Sequence, residues 1–129
     1  SIEQSNMSSN DAPFPGRIDY WINKSIHIKG KPDWIFVKIH CHGASAEKAD
    51  KEILLNKESE RMFSYFEEEY NDGDNYCLHY VSAREMFNIV KAAEDEKTGN
   101  PNNYRDYVIP RYKYLPERSS QIVACAPRK

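Results

Sequence analysis

The chain has 129 residues, with 18 Lys and Arg against 20 Asp and Glu and a formal net charge of −2. That length suits one domain with its own core and is too short for two. The near balance of charge gives no electrostatic case for nucleic acid or an anionic membrane surface, and no run approaches the roughly 20 apolar residues of a membrane span.

The opening SIEQSNMSSNDAPFPG, residues 1–16, is polar, carries Pro13, Pro15 and Gly16, and shows no hydrophobic period. It reads as a linker or loop. In RIDYWINKSIHI, Ile18, Trp21, Ile22 and Ser25 recur at helical spacing, which predicts a short helix ending before Gly30. After Pro32 comes DWIFVKIHCHGA, residues 33–44. Side chains on a strand alternate with period 2, so Ile35, Val37, Ile39 and Cys41 share one face. Trp34, Phe36, Lys38, His40 and His42 share the other, which begins aromatic and turns polar towards its carboxyl end. Such a gradient is expected of a strand that opens into a pocket.

AEKADKEILL predicts a second short helix, and NKESERMFSYFEEEYNDG a longer one. Asn56 can cap its amino end, Met62, Phe63, Phe66 and Tyr70 fall on one face, and Gly73 follows its end. The run Glu67, Glu68, Glu69 reads as a solvated face. NYCLHYV, residues 75–81, predicts a second strand, with His79 a satisfied core histidine. In SAREMFNIVKAAEDE, Ser82 and Glu85 form a capping box, and Met86, Ile89, Val90 and Ala93 form the buried stripe. From Gly99 the chain reads as irregular, with Tyr104, Tyr107, Tyr112 and Tyr114 among Arg105, Arg111 and Lys113. That mixture suits the covering of a neighbouring surface better than nucleic-acid binding, given the net charge.

Strands separated by amphipathic helices imply an α/β fold with parallel strands and right-handed crossover helices. Two strands do not make a stable sheet, so either the chain's ends supply more or the chain is the last part of a larger sheet. The cysteines Cys41, Cys77 and Cys125 are odd in number, and Cys41 and Cys77 lie among apolar residues. They read as reduced core side chains rather than disulfide partners. No signal peptide is visible, so the chain is expected to be soluble, with no compartment assigned. Its start at Ser1 fits a processed protein or a fragment.

The stretches FVKIHCHGA, ERMFSYFEEEY and LHYVSAREMFNIV, in that order, resemble the carboxyl-terminal portion of the polysaccharide deacetylase-like (NodB-like) barrel of the glycoside hydrolase/deacetylase superfamily. The resemblance covers about residues 17–108, with residues 1–16 as linker and 109–129 as an irregular tail. It implies a partial (β/α) barrel completed by an upstream remainder, with carbohydrate or polysaccharide as substrate class. The chemistry it implies is metal-assisted hydrolysis, with a divalent metal such as zinc in the full-length protein. Family members hold that metal with an aspartate and two histidines from early strands, beside a second aspartate as base. None of those motifs occurs in this chain, so it is expected to carry no metal and to be inactive alone. The family's late-strand histidine is a general acid, a role imidazole suits because its ordinary pKa of about 6.5 allows both protonation states near neutrality. His40, preceded by Ile39, matches that residue, and Cys41 stands where the family often has aspartate. His42 is the alternative acid two residues on.

Lys38 is a candidate without reference to the family. A lysine on an inward face needs a carboxylate or a wet cavity, because burying a lone ammonium costs several kcal/mol. With Trp34 on the same face, it is a candidate substrate contact. His27 reads as a loop residue. Two further readings remain open: a metal-dependent hydrolase of another class built on the His-x-His pair, since imidazoles at i and i+2 can converge on one ion, and a non-catalytic carbohydrate-binding or scaffold module.

Overall fold

The computed structural model describes residues 4–43 and 48–113. Its helices are α1 (Pro15–Asn23), α2 (Lys48–Leu55), α3 (Lys57–Glu69) and α4 (Ala83–Glu94), followed by a single 3-10 turn, Pro101–Tyr104. Among the described residues no sheet forms. Bridge pairing is confined to Asn6 with His40, which run parallel, and Ser8 with Asp11, antiparallel. The expected α/β fold, a partial barrel of parallel strands and crossover helices, is therefore replaced by a helical arrangement.

The helices start where local chemistry directs. Pro15 opens α1 with its φ already set and no N–H to satisfy. Asn56 caps α3, its Oδ1 accepting the Glu58 N–H at 3.0 Å. At α4 the box is reciprocal: Glu85 N–H donates to Ser82 Oγ at 3.3 Å, and Ser82 N–H donates to Glu85 Oε2 at 2.9 Å. α1 is shorter than its hydrophobic spacing predicts, because the chain turns left-handed at Ser25, with φ of 48°.

The helices bury two separate clusters. Met7, Ile18, Trp21, Ile53, Met62 and Phe66 join α1, α2 and α3 to the amino-terminal segment. Trp34, Ile89, Ala92 and Ala93 form the second, on α4. The segments expected to be strands run as extended straps between these clusters. Phe36 packs on the second, while Val37, Ile39 and Cys41 pack on the first; Leu78 packs on the first and Val81 on the second.

What removes the sheet is where the straps' backbone groups go. Leu78 N–H donates to Asn71 Oδ1 at 3.0 Å, Tyr76 N–H to Asp72 Oδ1 at 2.9 Å, and Tyr80 O accepts from Arg105 Nη1 at 2.9 Å. Phe36 N–H goes to Ile26 O at 2.8 Å, and His40 exchanges bonds with residues 5 and 7. Once local side chains and loops have taken these groups, they are not available for a ladder.

Other expectations shift in register. Phe63 is 41 % exposed, although Met62 and Phe66 are buried as predicted. The buried face of α4 is Asn88, Ile89, Ala92 and Ala93, with Met86 and Val90 half-buried. Cys77 is exposed rather than core, whereas Cys41 is half-buried. His79 is half-buried, with Nδ1 3.1 Å from Asn102 Oδ1. Cys125, Tyr114 and the first residues of AEKADKEILL lie outside the described residues.

Among the described residues two polar side chains, Arg17 and Asn88, are wholly buried. Arg17 donates to the carbonyls of Gln4, Asn6 and Asp11, with Nη contacts of 2.6 Å, and meets the Asp11 carboxylate at 3.4 Å. Asn88 donates to Arg105 O and Ile109 O and accepts from the N–H groups of Val108 and Ile109. Each ties an irregular segment to a helix, which is how residues 4–11 and 105–109 are held without a hydrophobic period.

Candidate functional site

The strap of residues 34–42 joins no sheet, yet it keeps the expected alternation over residues 37–42. Val37, Ile39 and Cys41 pack inwards, and Lys38, His40 and His42 are exposed on the other side. His40 is anchored through its backbone: its N–H donates to Ser5 O at 3.0 Å, and its carbonyl accepts from Met7 N–H at 2.8 Å. Its ring Nδ1 lies 3.3 Å from Ser5 Oγ, and the His40 and His42 rings are 6.4 Å apart between centroids. Among the described residues no group of three His, Cys, Asp or Glu side chains gathers where it could hold a metal ion.

Trp34 does not lie with the histidines. It is buried in the second cluster, 7 % exposed, with the Lys31 ammonium 4.8 Å above its ring and Tyr104 5.8 Å away. His27 is exposed in the loop after α1, its Nδ1 against Ser25 O.

Lys38 lines an open groove of about 420 Å3, between α1 and the strap. Aromatic surface comes from Tyr20, Trp21 and Phe36, and aliphatic surface from Ile26 and Val37. Polar groups come from Ser5, Lys24 and Lys38. The size falls in the range of small-molecule sites, roughly 300–1,000 Å3, and so does the mixture of aromatic walls with a few polar groups. Ser5 joins this groove to His40, since its hydroxyl reaches the imidazole while the residue lines the groove.

The groove's wall is positioned from below. Asp19, on α1, accepts the phenol O–H groups of Tyr65 at 2.9 Å and Tyr70 at 2.6 Å, which ties α1 to α3 and its end. Burial and then the Asp19 carboxylate push the Tyr70 phenol well above its ordinary pKa, so it stays a donor at any physiological pH. Arg17 lies 5.1 Å from the Trp21 ring centroid, and the Lys24 ammonium sits 4.8 Å over Tyr20. The helix that carries Tyr20 and Trp21, with Lys24 at its carboxyl cap, is thus held at both faces.

A second groove, about 730 Å3, lies between residues 12–15 and α3. Its wall mixes Lys57 and Arg61 with Glu58, Glu60 and Glu68, so it presents no dominant charge.

Of the residues singled out in the sequence, Lys38 lines the first groove and His40 adjoins it; Trp34 is elsewhere. Ser5, Tyr20 and Lys24 carried no signal for a site. Ser5 lies in a segment without period, and Tyr20 and Lys24 sit outside the predicted apolar stripe of α1. Only the parallel bridge at Asn6 and His40 brings Ser5 to the groove.

Comparison of the chain with family models, with curated proteins and with solved structures finds no match. Among the described residues no helix is long and apolar enough to cross a membrane.

Proposed function

We propose that the chain is a non-catalytic saccharide-recognition module, with the groove between α1 and the strap of residues 34–42 as its binding surface. The observation that carries this reading is the groove's combination of aromatic rings, from Tyr20, Trp21 and Phe36, with hydrogen-bonding groups on Ser5, Lys24 and Lys38. A sugar ring has apolar C–H faces and a rim of hydroxyls. It is complemented by aromatic surface bordered by donors and acceptors. The deacetylase-like chemistry implied by the resemblance depends on an aspartate and histidine ligand set that this chain lacks, so the reading is one of binding, not turnover.

The test is an NMR titration of uniformly 15N-labelled protein with a panel of neutral and acidic trisaccharides. Binding should move the backbone amides of Ser5, Tyr20, Lys24, Phe36 and Lys38 and the Trp21 indole N–H together. Tyr20→Ala should then weaken affinity roughly five- to tenfold, as the loss of one aromatic contact of about 1 kcal/mol does. If no trisaccharide moves these signals at millimolar concentration, or if Tyr20→Ala leaves the affinity unchanged, the reading is wrong.

A further inference from the structure

We infer that His40 and His42 form a surface chelate for a borderline divalent transition metal, copper(II) above all, held by both imidazoles at once. The inference is independent of the saccharide reading. It rests on the His-x-His motif itself and not on the aspartate and histidine set of the deacetylase-like family, which this chain lacks.

The first support is geometric. His40 and His42 are both exposed, on the same side of an extended strap, with their ring centroids 6.4 Å apart. Two residues of extended chain advance roughly 6.5 Å, so the side chains leave the backbone at about the separation their rings show. With metal–nitrogen bonds of about 2.0–2.1 Å, a shared ion lies about 3.2 Å from each ring centre and spans rings up to roughly 6.4 Å apart. The observed pair stands at that limit. Rotation about the χ angles of two exposed side chains draws the rings closer with no movement of the backbone.

The second support is that the pair is set in place before any ion arrives. The backbone of His40 is fixed on both sides, its N–H donating to Ser5 O at 3.0 Å and its carbonyl accepting from Met7 N–H at 2.8 Å. The ring is oriented as well, with Nδ1 3.3 Å from Ser5 Oγ. When that hydroxyl accepts the Nδ1–H, the lone pair is on Nε2, which is the form an imidazole needs to bind a metal.

The donor types then select the ion. Cys41, between the two histidines, packs inwards on the first cluster, so this side of the strap offers nitrogen and no sulfur. Lys38 is exposed on the same side, and its ammonium disfavours a dication attracted by charge alone. Hard ions such as calcium and magnesium, which take oxygen ligands, are therefore poorly served. Imidazole nitrogen suits copper, nickel and zinc, and affinity along the first-row series peaks at copper(II).

The test titrates the full chain with copper(II) alone and counts bound imidazoles by pulsed EPR. The unmodified protein should bind one equivalent with two imidazoles in its spectrum. His40→Ala and His42→Ala should each weaken binding by roughly tenfold or more, since losing a ligand costs at least the 10–100-fold of losing an outer-shell partner. The chain has four histidines, and the other two, His27 and His79, provide the control. His27→Ala with His79→Ala should leave both affinity and imidazole count unchanged. Absence of copper binding at micromolar concentration overturns the inference, as does a two-imidazole signal that survives either strap variant. Loss of that signal in the control variant also overturns it, because the ligands then lie elsewhere. The strap histidines are exposed and His40 is pinned through its backbone, so their variants should fold, and amide spectra of every variant verify it.

Discussion

In the amino-terminal half of the molecule the backbone of residues 4–11 converges on the guanidinium of Arg17, whereas in the carboxyl-terminal half residues 105–109 converge on the carboxamide of Asn88. Both side chains are fully buried on a helix, and both hold a segment that has no hydrophobic period of its own. They differ in what they can offer. A guanidinium only donates, so its shell is made of carbonyls and the Asp11 carboxylate. A carboxamide donates and accepts, so Asn88 can take both the N–H and the carbonyl of Ile109, at 2.8 Å each. The charged hub carries the larger desolvation cost and depends on several charge-assisted bonds to offset it. The neutral hub meets as many partner residues, Arg105, Val108 and Ile109, without that charge to desolvate. The first half should therefore be the more sensitive to losing its hub.

The largest expected effect is at Arg17. Arg17→Met keeps most of the side chain's apolar bulk but strands the Gln4, Asn6 and Asp11 carbonyls. It should lower stability by about 3 kcal/mol, the lower end of losses for breaking a buried charged network. Urea unfolding measures this, and hydrogen exchange should show the Met7 and His40 amides losing protection first. A loss below that of the Asn88 variant would reverse the proposed ranking of the hubs.

Asn88→Ala comes next, at about 2 kcal/mol, because it leaves two carbonyls and two N–H groups without their buried partner. Asn88→Asp sharpens the comparison, since it keeps an acceptor for Val108 and Ile109 but turns an oxygen towards the carbonyls of Arg105 and Ile109. At neutral pH it should cost at least as much as alanine in the same unfolding assay. A milder loss would mean that the donated bonds matter little and that acceptance alone holds the turn.

Smaller still is the capping box that starts α4 in the same half. Ser82→Ala should cost about 1 kcal/mol, the usual worth of an N-cap side chain. An unchanged thermal midpoint would show that α4 depends on Asn88 and burial rather than on its cap.

The smallest effect concerns the turn joining the halves. Asp72 Oδ1 accepts the N–H groups of Asp74, Asn75 and Tyr76 at 2.8–3.0 Å, and these bonds, led by that of Tyr76, hold its carboxyl at about 2 against an ordinary 3.8. Its folded-state pKa is the lower one, so the unfolded chain binds the proton more readily. Its contribution is present in full above pH ~4 and is lost as pH falls through about 2. The thermal midpoint should decline across that interval. Asp72→Asn, which keeps an acceptor but cannot titrate there, should decline less, and carbon NMR of the Asp72 carboxyl should give a midpoint near 2. A midpoint near 4 would show that the turn does not hold the carboxylate.

How much of this was legible in advance differs residue by residue. Asn56, Ser82 and Glu85 declare α3 and α4 because a cap needs only neighbours three residues away. The inward packing of Val37, Ile39 and Cys41 against the exposed Lys38, His40 and His42 was legible too, because alternation is a property of any extended chain, paired or not. Trp34 was misleading by the same rule. Its face is set by alternation, but what covers that face is α4, some fifty residues on.

What the sequence by itself determined, then, is the helices, their caps and the two faces of the strap, all of which follow from interactions within a turn or two of chain. Only the tertiary structure decided whether the extended segments pair, where Arg17 and Asn88 go, and that Ser5 meets His40 at the groove. Sheet pairing depends on which groups reach a backbone N–H first, and here Asn71, Asp72 and Arg105 reach the second strap. A buried arginine or asparagine depends on carbonyls gathered from segments with no pattern of their own. Such arrangements are set by long-range complementarity of donors and acceptors, for which hydrophobic period carries no information.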